Sequence, residues 1–350
     1  MPEPLYDPSL DPGGMRAAIR AFPDHLAEGW ERGAAAEAYG IDASALNGVV
    51  VCGMGGSAIG GDLVRTLVER ESPVPFLVNR GYTLPGWVDS RTLVVVSSYS
   101  GGTEETLSAY ADARQRGAQI LVITSGGEAQ QRAGEGGDRL IEISGGMQPR
   151  AALGYSLGVL LRFAWSNGLL ELADDTFEAA LSSARARAAR HDDDAEGNPA
   201  RDLSAGWVDR LPVVYTGAGL MEAVGLRWRG QIQENAKHPA VGNVFPELDH
   251  NEIMGYEAGP EAIQGRFAVT VLRDADDHGQ VTKRFDVTRG LLESDVASWT
   301  DLESEGNSRL DRVLHFVQLG DAASFWLAMR KRVDPTPVET IQQLKRTLAA

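Results

Sequence analysis

Lysine and cysteine are almost missing from this chain of 350 residues, which has four lysines (237, 283, 331 and 345) and one cysteine, Cys52. A lone cysteine cannot close an intrachain disulfide, and its place in GVVVCG reads as a buried strand rather than a nucleophile. The six histidines (25, 191, 238, 250, 278 and 315) include no HExxH pair, so a zinc site and metal chemistry are not expected. No apolar run approaches the ~18 residues that would cross a bilayer. The opening MPEPLYDPSLDPGGM lacks the basic and apolar regions of a signal peptide, and a cytoplasmic protein away from the membrane is expected. Positive charge is also short: 33 Lys and Arg against 49 Asp and Glu leave a formal net charge of −16, which repels nucleic acid and anionic lipid. Glycine, in contrast, is abundant at 40 of 350 residues, about 11% against a ~7% average.

Where the glycines fall follows the organisation of the chain. The first 47 residues are helical where they are regular (14–20 and 25–32), with Pro12 and Pro23 as breaks. Short Val/Leu/Ile runs then predict strands at 47–53, 74–79, 91–98, 118–124 and 138–144, buried on both faces of a parallel sheet. Helices are predicted over 58–70, 104–116 and 151–172, the alternation of an α/β domain. A helix over 175–190 leads into the polar stretch HDDDAEGNPARD (191–202), which reads as a linker. Beyond it the opening pattern returns: LPVVYTGAGLMEAVGLRWRG (211–230) lies over NGVVVCGMGGSAIGGDLVRT (47–66), matching Gly53, Gly55 and Gly61 to Gly217, Gly219 and Gly225. Strands at 265–273, 295–302 and 311–319 and a helix over 322–331 complete a second α/β unit, so the chain reads as a tandem duplication.

Two glycine-rich turns carry the chemistry. VVVCGMGGSAIGGDL places Gly55, Gly56 and Ser57 between a strand and a helix, where free N–H groups and the helix dipole favour an anion. The turn also fits GxGxxA (Gly53, Gly55, Ala58), but the next strand ends in Asn79-Arg80 rather than an acid, which leaves an NADP reading and no NAD reading. A third reading is a tight turn with no ligand. The strand at 91–98 runs into SSYSGGTEET, offering Ser98, Ser100 and Thr103 beside two glycines. Loops after neighbouring parallel strands converge at one sheet edge, so Ser57, Ser98, Ser100 and Thr103 are predicted to surround one phosphate monoester. A pyrophosphate loop would carry GxxxxGK[ST], which is absent. In the second unit the Ser57 position is Met221, and no phosphate affinity is expected there.

GMGGSAIGGDL together with SYSGGTEET resembles the sugar isomerase (SIS) domain. The order of the whole chain from about residue 30 resembles the bifunctional phosphoglucose/phosphomannose isomerases, which are tandem SIS proteins. QENAK (233–237), ELDHNEI (247–253), QPRAALGY (148–155) and VDPTPVETIQQLK (333–345) add to the match. One departure is Gly102, which stands where the family usually carries Asn in SGNTEET. The resemblance implies a first SIS domain with N-terminal helices over 1–190 and a second with a C-terminal helix over 200–350. It implies a cytoplasmic homodimer that interconverts glucose 6-phosphate and/or mannose 6-phosphate with fructose 6-phosphate, with no cofactor.

Such a reaction needs a base to move a proton between C1 and C2, a cation for the cis-enediolate, and acid–base help in opening the ring. By sequence alone Glu234 is an ordinary helical surface residue; the resemblance makes it the base. It likewise makes Arg150 the enediolate stabiliser, His250 the ring-opening group supplied across the dimer interface, and Lys345 a second ring-opening group. Thr336 and Thr340, near that lysine, are candidates to make room around C2. The competing readings are a non-catalytic sugar-phosphate-binding SIS protein and an NADP-dependent dehydrogenase. No helix-turn-helix or basic arm supports a regulator.

Overall fold

The computed structural model describes residues 4–173, 175–257 and 265–348. After two helices, α1 (Met15–Arg20) and α2 (Phe22–Gly33), the chain enters a first α/β unit. Its elements are β1 (Gly48–Cys52), α3 (Gly55–Val68), β2 (Phe76–Asn79), β3 (Thr92–Ser97), α4 (Glu104–Gln115), β4 (Gln119–Thr124), α5 (Gly127–Gly136) and β5 (Arg139–Glu142). Three helices, α6 (Leu153–Ser166), α7 (Thr176–Asp192) and α8 (Pro199–Ala205), lead to the second unit. That unit holds β6 (Leu211–Gly217), α9 (Glu222–Ala236), β7 (Val241–Phe245), β8 (Phe267–Arg273), α10 (Gly279–Leu292), β9 (Ser298–Glu303), α11 (Arg309–Arg330) and α12 (Glu339–Leu348).

The strands form two wholly parallel sheets, ordered β2-β1-β3-β4-β5 and β7-β6-β8-β9. The second order repeats the first four positions of the first, the architecture expected of an α/β tandem repeat. Because side chains alternate along a strand, each sheet feeds two cores. Val50, Cys52, Val94 and Val96 face α4 and α5, while Val213, Tyr215, Val269 and Val271 face α10. The opposite faces, carrying Val49, Val51, Leu93 and Val95 in one sheet and Val214, Ala268 and Leu272 in the other, share a third core with α2, α3, α6, α7, α9 and α11. This common helical layer fuses the two halves. Within it α2 and α6 cross so closely that a Cβ at Gly158 would lie 2.4 Å from the Leu26 carbonyl. Arg309, at the start of α11, donates to the Thr66 and Leu67 carbonyls at the end of α3 (3.1 and 3.0 Å), where a cation meets the negative end of that helix dipole.

Two of the segments assigned from the sequence take a different form. The strand expected at 311–319 is instead the first half of α11, and the helix expected at 322–331 is the second half. Val313, Leu314, Phe316, Val317 and Leu319 are all buried because α11 runs through the shared core, so no amphipathic period marks it as a helix. The one local signal is at its start, where Ser308 Oγ accepts from the Asp311 N–H (3.1 Å), an N-cap. The stretch 191–202 is a capped turn rather than a bare linker: Asn198 accepts from the Ala200 and Arg201 N–H groups to open α8 and donates to the His191 and Asp193 carbonyls.

Candidate active site

Both glycine-rich turns lie at the carboxyl edge of the first sheet. At the start of α3, Gly55 has φ +51° and Gly56 packs so tightly that a Cβ would meet the Pro149 carbonyl at 2.7 Å. The first N–H groups of a helix have no helical carbonyl to bind, so this turn presents donors beside the segment that leads to Arg150. Ser57 Oγ accepts from the Tyr99 N–H (3.1 Å), and Ser97 Oγ donates to the Ser57 carbonyl (3.3 Å), which ties the two turns together. In the second turn Ser98 Oγ donates to Thr103 Oγ1 (3.2 Å), and the Gly102 N–H points to Ser100 Oγ (3.4 Å). A Cβ at Gly102 would meet open space and its φ is not positive, so an Asn could stand there without a change in the loop's course. In the second unit Met221 is buried and Asp277 Oδ1 would lie 2.4 Å from a Cβ at Gly217. Burial raises the Asp277 carboxyl to about 6. A carboxylate against that turn opposes anion binding.

If the turns hold a phosphate, Ser57→Ala and Ser100→Ala each raise KM for a hexose phosphate about ten- to hundredfold, the worth of a hydrogen bond to a charged group. The kcat should change little, and steady-state kinetics with unchanged KM in both variants would remove the shared phosphate site.

Glu234 and Arg150 meet although 84 residues separate them. A cavity of about 160 Å³ is lined by Gly55, Gly56, Arg80, Arg150, Gln231 and Glu234, among others. Arg150 is 3% exposed, and its Nη1 lies 3.5 Å from Glu234 Oε2, whose side chain is 33% exposed. Arg150 Nε donates to Asn235 Oδ1 (2.6 Å), and Nη2 donates to the Pro335 and Thr336 carbonyls. Burial lowers the Arg150 pKa, Glu234 opposes that and the Arg227 charge adds to it; a guanidinium stays protonated regardless. Beneath it Arg227 forms a bidentate pair with buried Asp321 (2.6 and 2.8 Å), donates to the Arg150 carbonyl (3.0 Å) and so fixes the backbone there. The arrangement offers a solvent-reached carboxylate beside a rigid, buried cation.

His250 and Lys345 do not line this cavity. His250 ends the turn Glu247–His250, and the acids around it are all engaged. Glu247 accepts from Asn251, Asp249 pairs with Arg284 and accepts from Thr288, and Glu252 accepts from Tyr215 and Asn243. Among the described residues the His250 ring has no partner and is exposed, so the loop presents it outward. Lys345 lies on α12, which is exposed throughout. Thr340 is exposed too, while Thr336 packs against Gly13.

Sequence reasoning misses two features of the site. It weighs Arg80 only for a dinucleotide, yet Arg80 lines the cavity and pairs with Asp62 of α3. Its place just past the end of β2, at the carboxyl edge, is the available signal. The segment 333–336 closes over Arg150 through its carbonyls, a contact with no sequence signature. Among the described residues no helix is long and apolar enough to cross a membrane. No group of three His, Cys, Asp or Glu is placed to hold a metal among them.

Two parallel sheets of like strand order, with a glycine-serine turn after the first strand, define a tandem SIS fold, and residues 196–348 match the family described as bacterial phospho-glucose isomerase C-terminal SIS domain. The solved structure of a hypothetical protein from Thermus thermophilus superposes with a TM-score of 0.73 at 17% identity, covering 96% of this chain and 91% of its own. A bifunctional phosphoglucose/phosphomannose isomerase of Caldicellulosiruptor bescii is 43% identical over 338 residues, 96% of this chain and 99% of that protein. Its namesake in Aquifex aeolicus is 37% identical over 309 residues, 88% and 92%. The chain belongs to the bifunctional phosphoglucose/phosphomannose isomerase family.

Proposed function

We propose that this protein is an aldose–ketose isomerase that interconverts glucose 6-phosphate and mannose 6-phosphate with fructose 6-phosphate. The observation that carries the reading is the Glu234 carboxylate 3.5 Å from the buried Arg150 guanidinium, in a cavity that the Gly55–Gly56 turn also lines. With the phosphate on Gly55, Gly56, Ser57, Ser98, Ser100 and Thr103, the carbonyl end of the open sugar reaches Glu234. Glu234 takes a proton from C1 of the ketose, and the C–H electron pair becomes the C1–C2 double bond while the carbonyl oxygen takes up negative charge. Arg150 stabilises that cis-enediolate. The O1 proton passes to O2; returning the carbon-bound proton to C2 then converts the C1–O1 bond to a carbonyl, and the face of C2 that receives the proton decides the epimer. His250, from the second chain of a homodimer, and Lys345 serve ring opening in this reading.

Fructose 6-phosphate incubated with the protein in D₂O should yield both aldose phosphates with deuterium at C2, read by NMR without any nucleotide. Formation of neither aldose would overturn the proposal. Mixing Glu234→Gln and His250→Ala chains tests the shared site. Each heterodimer would hold one site with both groups intact, so a random mixture should recover up to about a quarter of wild-type activity. No recovery, with subunit exchange verified by mass spectrometry, would place His250 outside the partner's site.

A further inference from the structure

The segment that closes over Arg150 is gripped by a second cation that has no part in the chemistry above. Lys237 follows α9, three residues beyond Glu234, with φ 48° and ψ 46°. Glycine is the usual residue at a left-handed position after a helix, because a β-carbon is crowded there. This chain has 40 glycines and few lysines, yet it places a lysine at this position. Stopping the helix does not explain that choice; the bonds of the ammonium do. Lys237 Nζ donates to the Glu234 carbonyl at 2.7 Å and to the Pro335 carbonyl at 3.0 Å. The same Pro335 carbonyl accepts from Arg150 Nη2. Two cations, one before α6 and one after α9, therefore converge on a single carbonyl of the strap 333–338.

We propose that Lys237 is a positioning residue for the isomerisation: its ammonium staples the C-terminal strap to the end of α9 and thereby holds the Glu234 backbone in register with Arg150. The inference rests on the isomerase reading of Glu234. The charged groups acting on Lys237 are Arg150, Asp334 of the strap and Glu234 of its own helix, while Lys331, itself bonded to His238, donates to the Lys237 carbonyl. Loss of solvation first, and then the Arg150 charge, lower the Lys237 ammonium to about 8, with Asp334 and Glu234 opposing. The charged staple thus exists below that pH and is lost as pH rises through it. Arginine, which stays protonated, would not lose it.

Lys237→Gly separates positioning from folding, since glycine suits the left-handed backbone. This variant should melt no lower than wild type, yet its kcat should fall about tenfold or more, as expected for loss of charge-assisted hydrogen bonds. KM for fructose 6-phosphate should stay within about threefold, because the phosphate turns are untouched. Amide exchange over 333–348, measured without substrate, should quicken in Lys237→Gly. Wild-type kcat should decline as pH rises through about 8, and Lys237→Arg should carry activity to higher pH. An unchanged kcat in Lys237→Gly, or an alkaline limb that stays put in Lys237→Arg, would overturn the positioning role. A wild-type protein that converts no hexose phosphate would overturn the isomerase reading instead. The exchange measurement would then decide the staple by itself: faster exchange in Lys237→Gly upholds it, and unchanged protection overturns it.

Discussion

Replacing Glu234 by glutamine should lower kcat by about 10²- to 10⁴-fold, the range that a positioned proton-transfer group contributes. Gln keeps the size and the polar contact to Arg150 but cannot take a proton from C1. The affinity for fructose 6-phosphate should therefore hold within about twofold by calorimetry, because the proposed function rests binding on the glycine-serine turns rather than on the base. Solvent deuterium should no longer enter C2. The proton-transfer role fails if the variant turns over at a wild-type rate. It also fails if the loss appears wholly in affinity, since a base acts on the transition state and not on ground-state binding.

A second large effect is expected beneath the site. Arg227 and Asp321 are each 4% exposed, and their bidentate pair is completed by Gln231, which donates to Asp321 Oδ1 at 3.0 Å. Arg227→Met leaves a carboxylate that burial already pushes upward in pKa without its counter-charge. Breaking a buried pair in this way costs about 3–5 kcal/mol, whereas replacing both partners by apolar residues restores much of the loss. Urea denaturation should accordingly show a large drop in stability for Arg227→Met and partial recovery in Arg227→Met/Asp321→Leu. Recovered stability should not bring full activity, because Arg227 also holds the Arg150 carbonyl. Equal stability of the single and double variants would mean that the pair is not the cause of the loss.

The elements legible in the sequence are those whose residues repeat locally. β1, β3 and β4 announce themselves as short Val/Leu/Ile runs because both faces of each sheet are covered, and the first turn is legible because Gly55, Gly56 and Ser57 are adjacent in the chain. The repeat at β6 is visible for the same reason. Elements without a clean period are missed or misread. β7 carries a glycine and an asparagine in its five residues, VGNVF, at a sheet edge. α5 is a run of Gly, Gln and Glu that resembles a loop, and α11 is buried all round. Arg80 and Asp62, 18 residues apart with one just past β2 and the other in α3, give no joint pattern.

Function divides along the same line. By itself the sequence determined the two-sheet class, the acidic character, the glycine-serine turn after β1 and, through its motifs, the family. Only the tertiary structure decided that Arg150 stands beside Glu234, that Asp321 neutralises Arg227 below them, and that Lys237 and Arg150 close on Pro335. Those partners lie about 84 to 185 positions apart, apart from the local grip of Lys237 on Glu234. They meet because both sheets bury one face in a common helical layer, which carries the start of α6 to the end of α9. Local periodicity reports which face of an element is buried, not which distant element buries it.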